Sequence, residues 1–293
     1  MIRSIVYCIS MRFFIVLLIL TLLACKEEAP KPEPIKTHPV RPWHPKRMVA
    51  SDKQIIVAVI DTGFTTKMLS AKPNLCKHGH KNFSTDEKVS SQWDTIDPVP
   101  IDSLGHGTNV VGLIEKNANR PKEDYCIVVI KFFSDQAFPE SVVEAIEYAS
   151  SIGAKVINFS GGGKRRDSDE IAAVKKFLDN GGIFVAAAGN EKSNLANDPY
   201  YPAMNDPRVV VVGNANIITR EQIDQMKDTD KDLKTVYLDD FNQLGYAVPT
   251  SNYGTRVNRW ENGNYARGYE YILTGTSQAT AIATGKIIHN LRK

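Results

Sequence analysis

The segment 55–60, Ile-Ile-Val-Ala-Val-Ile, contains no polar residue. A strand that is apolar at every position has to be covered on both faces, as in a parallel sheet. Similar β-rich runs stand at 126–133, 155–159, 183–188 and 209–212. Helical patterns lie between them, one over 140–151 led by Pro139 and one over 167–178 stopped by Gly181-Gly182. This alternation predicts an α/β fold, a doubly wound, mostly parallel sheet flanked by helices. Ligands of such sheets bind beyond the carboxyl ends of strands, and Asp61 stands at such an end.

The chain of 293 residues divides into three parts. In residues 1–24, Arg3 and Arg12 precede an apolar run of about a dozen residues, too short to cross a ~30 Å hydrocarbon core as a helix, so the segment is expected to be a signal peptide. It ends in Leu22-Leu23-Ala24-Cys25, which looks like a bacterial lipobox, where the Cys25 thiol receives a diacylglyceryl group. Residues 25–50 are then the lipidated N-terminus and a linker in which Pro30, Pro32, Pro34, Pro39, Pro42 and Pro45 favour extended polyproline II. The expected protein is an exported lipoprotein, held by its acyl chains on a bilayer at the periplasmic face or the cell surface.

Residues 51–293 remain for one catalytic domain. With 42% hydrophobic and 24% charged residues the composition is that of an ordinary globular protein. The net charge of +3 comes without a long basic run or an aromatic-interleaved basic patch, which argues against a nucleic-acid partner. Cys8 leaves with the signal and Cys25 is the lipidation site, so Cys76 and Cys126 remain in an oxidising compartment. They are either a disulfide or, for Cys126, a small buried hydrophobe.

Three strings carry the chemistry: Ile60-Asp61-Thr62-Gly63, His106-Gly107-Thr108 and Gly275-Thr276-Ser277. They supply an orienting carboxylate, a general base and a serine nucleophile in the chain order Asp, His, Ser. Each has a plainer reading. Asp-Thr-Gly also marks aspartic proteases, but those need two such carboxylates and this chain has one copy. A histidine or a serine at a helix start is often only a cap. The three together favour catalysis, with Ser277 at a helix N-terminus where the dipole stabilises a developing anion.

In this order the strings resemble the signature motifs of the subtilases, the subtilisin-like serine proteases, over roughly 51–290. The resemblance implies a polypeptide substrate and an acyl-enzyme on Ser277. It also implies that Ala186-Ala187-Ala188-Gly189-Asn190 is the oxyanion-hole segment, with Asn190 donating to the oxyanion, and that Ser160-Gly161-Gly162 pairs with the substrate backbone. Ala188 and Gly189 are expected beside the substrate as well.

Departures from the family pattern are visible. Gln278 and Ala281 replace the usual Met and Pro after the serine, and Gly161 replaces a larger apolar residue, so a roomier pocket is expected there. Glu191 is expected on the rim of the pocket for the residue before the scissile bond, favouring a basic side chain. Many subtilases carry a large N-terminal prodomain, for which residues 25–50 leave no room.

No cofactor is required by this chemistry. Cys76, His78 and His80 form a tight cluster without a clear fourth metal ligand, and no metal site is expected there. Asp228, Asp230 and Asp232 resemble the start of a calcium loop, but Leu233 stands where the turn glycine belongs, and calcium is left open because it stabilises many subtilases. Residues 217–250 look like an insertion. The rivals to a hydrolase are a peptide ligase or macrocyclase on the same fold, and an inactive binding or regulatory protein that keeps the fold.

Overall fold

The computed structural model describes residues 54–84, 89–90, 99–134, 141–217, 221, 235–238, 243–247 and 250–291. The expected signal peptide, Cys25, the proline-rich linker and the aspartates at 228–232 lie outside these residues.

The chain builds a nine-stranded sheet. Its strands are β1 (Ile55–Asp61), β2 (Lys81–Asn82), β5 (Tyr125–Lys131), β6 (Val156–Phe159), β7 (Ile183–Ala187), β8 (Val210–Ile217), β9 (Thr235–Leu238), β10 (Gln243–Ala247) and β11 (Arg259–Glu261). The order is β2-β5-β1-β6-β7-β8-β10-β9, with β11 also on β8. The pairs from β2 to β8 and the β8–β11 pair are parallel, while β10 is antiparallel to both β8 and β9. Two small antiparallel pairs stand apart, β3 (Val89–Ser90) with β4 (Val99–Pro100), and β12 (Ala266–Gly268) with β13 (Tyr271–Leu273).

Four α-helices are described: α1 (His106–Ala118), α2 (Val143–Ser151), α3 (Ser168–Asp179) and α4 (Thr276–Asn290). The period of two in β1 divides the core. Ile56, Ala58 and Ile60 enter one cluster with Ala145, Ile146, Val174 and Phe177 of α2 and α3. Val57 and Val59 enter the other with Val110, Val111 and Ile114 of α1 and Ala279, Ala281 and Ala283 of α4. This is the doubly wound arrangement, with the sheet buried on both faces.

Element ends follow local chemistry. Asp167 caps α3, its carboxylate accepting from the Asp169 and Glu170 amides, so the helix proper begins one residue after it. The small-residue run after Ser277 lets α4 cross α1 closely, for a Cβ on Gly285 would lie 2.6 Å from Ile114 O. Cys76 and Cys126 are joined as a disulfide, tying the segment that follows the Thr66–Ala71 turn of 3-10 helix to β5 across 50 residues of sequence.

In register, Ile60 lies beside Phe159, and Phe159 beside Ala186. The carboxyl ends of β1, β6 and β7 therefore open on one edge, and the first turns of α1 and α4 arrive at that edge.

Candidate active site

Asp61, the last residue of β1, is 1% exposed. Its Oδ1 accepts from the Thr62 amide at 2.7 Å and lies 2.8 Å from His106 Nδ1. A carboxylate can only accept, so Nδ1 carries the proton and Nε2 keeps a free lone pair. Asp61 Oδ2 is buried and has no hydrogen-bond partner among the described residues. Burial alone lowers the His106 pKa, but the Asp61 charge and hydrogen bond, with the Asp102 charge behind them, outweigh it and leave the imidazole above its ordinary 6.5.

The pair is braced by Asp102, which sequence reasoning missed. Its carboxylate accepts from the amides of Leu104 at 3.0 Å, Gly105 at 2.7 Å and Thr108 at 2.8 Å, and from the hydroxyls of Thr62 at 2.9 Å and Thr108 at 2.6 Å. Thr62 Oγ1 in turn accepts from the Gly107 amide at 2.8 Å, and Thr108 Oγ1 from the Thr65 amide at 2.9 Å. One carboxylate thus fastens the start of α1 to the end of β1. Gly107 permits the approach, because a Cβ there would stand 2.4 Å from Gly63 O.

Ser277 lies in the first turn of α4 and is partly exposed. Its hydroxyl donates to Ser160 O at 2.8 Å, and the Ser160 hydroxyl donates back to Ser277 O at 3.0 Å. Ser160 Oγ also accepts from Asn158 Nδ2 at 3.0 Å, and Asn158 Oδ1 accepts from Thr284 Oγ1 at 2.8 Å, so the serine helix is laced to the end of β6. In this arrangement the Ser277 hydroxyl proton points to a backbone carbonyl.

Asn190, exposed beyond the end of β7, accepts the Thr276 amide on Oδ1 at 3.0 Å. An amide N–H only donates, which fixes the side chain with Oδ1 toward α4 and leaves Nδ2 as the donor on the other lobe, 3.4 Å from where a Cβ on Gly275 would stand.

Ser160 is buried and engaged with Ser277. Among the described residues the backbones of Gly161 and Gly162 pair with no strand, whereas Gly163 is bridged to Tyr201. The space expected to be roomier beside Gly161 is occupied by a ring. A Cβ there would lie 2.6 Å from the Phe133 ring, so Phe133, from the loop after β5, fills the space that a larger residue would take. Ala188 is fully buried, and its carbonyl accepts from Asn252 Nδ2 at 2.8 Å. Gly189, at φ +97°, has no room for a Cβ, which would meet Asn252 Nδ2 and Glu191 Oε2 at 2.4 Å.

Glu191 is exposed, and its carboxylate accepts from Asn252 Nδ2 at 2.6 Å. Burial, followed by the Glu191 charge, pushes the Tyr200 hydroxyl up to about 12. The Tyr200 ring stands against both Gly162 and Gly189, where an added Cβ would lie 2.4 and 3.1 Å from it.

The Cys76, His78 and His80 cluster is organised by other bonds. Cys76 is in the disulfide, and the His80 ring uses Nε2 on Cys76 O at 2.8 Å and Nδ1 on the Val129 amide at 3.0 Å. Among the described residues no group of three or more His, Cys, Asp or Glu could hold a metal ion, and no helix is long and apolar enough to cross a membrane. Gln278 and Ala281 are both buried, Ala281 in the cluster shared by α1 and α4.

A family model described as the subtilase family matches residues 52–290. The major intracellular serine protease of Bacillus subtilis (strain 168) is 28% identical over 245 residues, 80% of this chain and 67% of that protein. Thermitase of Thermoactinomyces vulgaris is 31% identical over 155 residues, 50% of each, so the matched part spans about half of that relative's length. Among solved structures, a lanthipeptide protease superposes with a TM-score of 0.58 at 19% identity, over 80% of this chain and 72% of its own, a likeness of fold.

Proposed function

The chain belongs to the subtilase family of subtilisin-like serine proteases, and from that premise we propose that it is an endopeptidase working through an acyl-enzyme on Ser277. The observation that carries this reading is the pairing of a buried Asp61 with His106 Nδ1 at 2.8 Å, which leaves Nε2 basic at the edge where Ser277 and Asn190 meet.

An extended polypeptide adds its backbone to Gly161 and Gly162, its acyl side toward β6. The Ser277 hydroxyl turns from Ser160 O to His106 Nε2, gives up its proton and attacks the carbonyl carbon. Asp61 holds the Nδ1 proton and stabilises the imidazolium. The oxyanion is received by Asn190 Nδ2 and the Ser277 amide at the start of α4, a preorganised pair that needs no rearrangement as charge develops. His106 returns the proton to the departing amine, and water resolves the ester by the same steps in reverse. Glu191, at the cleft wall, favours a basic residue before the scissile bond.

We further propose that the domain acts outside the cytoplasm on a lipid anchor at Cys25. Support comes from the Leu22-Leu23-Ala24-Cys25 string and from the Cys76–Cys126 disulfide, a bond of oxidising compartments.

The test is fluorophosphonate labelling of the full chain beside Ser277→Ala and His106→Ala. Labelling in wild type alone is expected, and absence of labelling in folded wild type overturns the enzyme reading. Peptide products joined rather than hydrolysed would mark a ligase. Palmitate incorporation lost in Cys25→Ala is expected for the anchor, and its persistence overturns it.

A further inference from the structure

Gln278 follows the nucleophile directly, and Asn109 lies nearly one turn of α1 beyond His106. Both are buried, at 2% and 0% exposure, and Gln278 Nε2 donates to Asn109 Oδ1 at 3.1 Å. Asn109 Nδ2 donates in turn to Ala266 O at 3.0 Å and Tyr271 O at 2.9 Å, one on β12 and one on β13. Backbone carbonyls only accept, so the Asn109 amide has a single orientation, with Oδ1 facing α4. Gln278 must then present its NH₂ group. A buried amide with both ends engaged is costly to disturb, since any rotation leaves polar groups unpaired.

This link spans the two helices that carry the reacting groups, at the ends where they carry them. It also fastens β12 and β13, the hairpin through which the chain runs into Gly275-Thr276-Ser277. The Ser277 hydroxyl rests on Ser160 O, so the distance it must cover to reach His106 Nε2 is set by how α4 is seated against α1. At Gly285 α4 meets Ile114 and Asn117 in van der Waals contact. At the far ends of the helices His289 Nδ1 lies 3.1 Å from Ala118 O, while Arg120 donates to the Ile288 and Leu291 carbonyls. The Gln278–Asn109 bond is therefore the tie at the opposite end, where Ser277 and His106 stand.

We propose that the Gln278–Asn109 hydrogen bond is a positioning device that locks the register of α4 against α1, so that Ser277 Oγ meets His106 Nε2 when it leaves Ser160. Neither residue touches substrate. The inference rests on Ser277 and His106 acting as nucleophile and base. It predicts that an apolar residue of similar volume at 278 preserves the core and loses rate.

The full chain, Gln278→Met, Gln278→Glu, Asn109→Ala and the double variant Gln278→Met/Asn109→Ala are titrated with a fluorophosphonate well below each melting temperature. Maximal labelling rate and half-saturating concentration are read separately. The expected result for Gln278→Met is a maximal rate about 10- to 100-fold lower, the scale of a misplacement of ~1 Å, with half-saturation unchanged. The double variant is expected to be no slower than the slower single variant, because both remove one link. Gln278→Glu keeps the shape and loses the donor, so it carries the same test if Gln278→Met does not fold.

A folded Gln278→Met or Gln278→Glu that labels at the wild-type rate overturns the positioning role, whatever its melting temperature. Wild type that labels beside unaffected variants overturns this inference alone. Folded wild type that does not label overturns the assignment of Ser277 beneath it, and this inference with it.

Discussion

The two halves of the catalytic edge are built differently. On the side of the base, Asp61 and His106 are already bonded, and Asp102 gathers five donors from the surrounding turn so that strand and helix move as one piece. On the side of the nucleophile, Ser277 is well anchored through its helix, but its hydroxyl is parked on Ser160 O. In the proposed mechanism the base is assembled in the free protein, whereas the serine reaches its working contact by a side-chain rotation. Rigidity is invested where a charge must be held, and a rotation is left where a proton must move.

The strongest way to break this contrast is Asp61→Asn. An amide in place of the carboxylate presents an N–H to Nδ1 or forces the other tautomer, and kcat is expected to fall about 10⁴-fold with the fold intact. Stopped-time hydrolysis of a peptide anilide by the folded variant checks it, and a loss under tenfold would show that the base does not depend on its partner.

Next in size is the disulfide. In the chain-entropy picture a closed loop of this length stabilises the fold by about 4 kcal/mol, so Cys76→Ala/Cys126→Ala should unfold at a markedly lower denaturant midpoint, with a steeper slope because the uncrosslinked denatured chain exposes more surface. Urea melts of both proteins, with and without reductant, supply the comparison. Reductant should shift wild type toward the variant and leave the variant where it was.

On the nucleophile side, Asn190→Ala should lower kcat about 10²- to 10³-fold with KM nearly constant, because the lost donor meets charge that exists only in the transition state. A rise in KM with kcat preserved would instead make Asn190 a ground-state contact.

The smallest expected effect sharpens the electrostatic part. His106 must be neutral to accept the serine proton, and its raised pKa places the acid limb of kcat/KM above 6.5. Asp102→Asn removes one of the charges that raise it, so the limb should move to lower pH. Stability has a matching sign. The protonated His106–Asp61 pair contributes below the ordinary histidine value of 6.5, and that contribution is lost as pH rises through the higher folded value. A pH–rate profile in which Asp102→Asn leaves the limb in place would assign Asp102 to the turn alone.

Much of this was legible in the sequence because it is written locally. The all-apolar run at 55–60 could only be a strand covered on both sides, and the strings at Asp61, His106 and Ser277 keep their spacing whatever the rest of the chain does. Asp102 was not legible. The stretch Asp102-Ser103-Leu104-Gly105 reads as an ordinary polar turn, and the hydroxyl it binds on Thr62 is 40 residues away. The one local signal was an aspartate three residues before a glycine that adopts φ +79°. Phe133 against Gly161 was hidden for the same reason, since a small residue in one strand says nothing about which distant ring fills the space. Gln278 appeared only as a substitution, because its partner Asn109 is 169 residues earlier.

The Cys76–Cys126 bond also changes what damage means for this chain. A protease at working concentration meets other copies of itself, and surface segments are where such cuts fall. The loop that the disulfide closes contains His106 and Asp102, so any single peptide bond hydrolysed between the two cysteines leaves both fragments covalently joined. A nicked molecule would keep its base beside its nucleophile until the bond is reduced, and wear would accumulate as hidden breaks rather than as lost pieces.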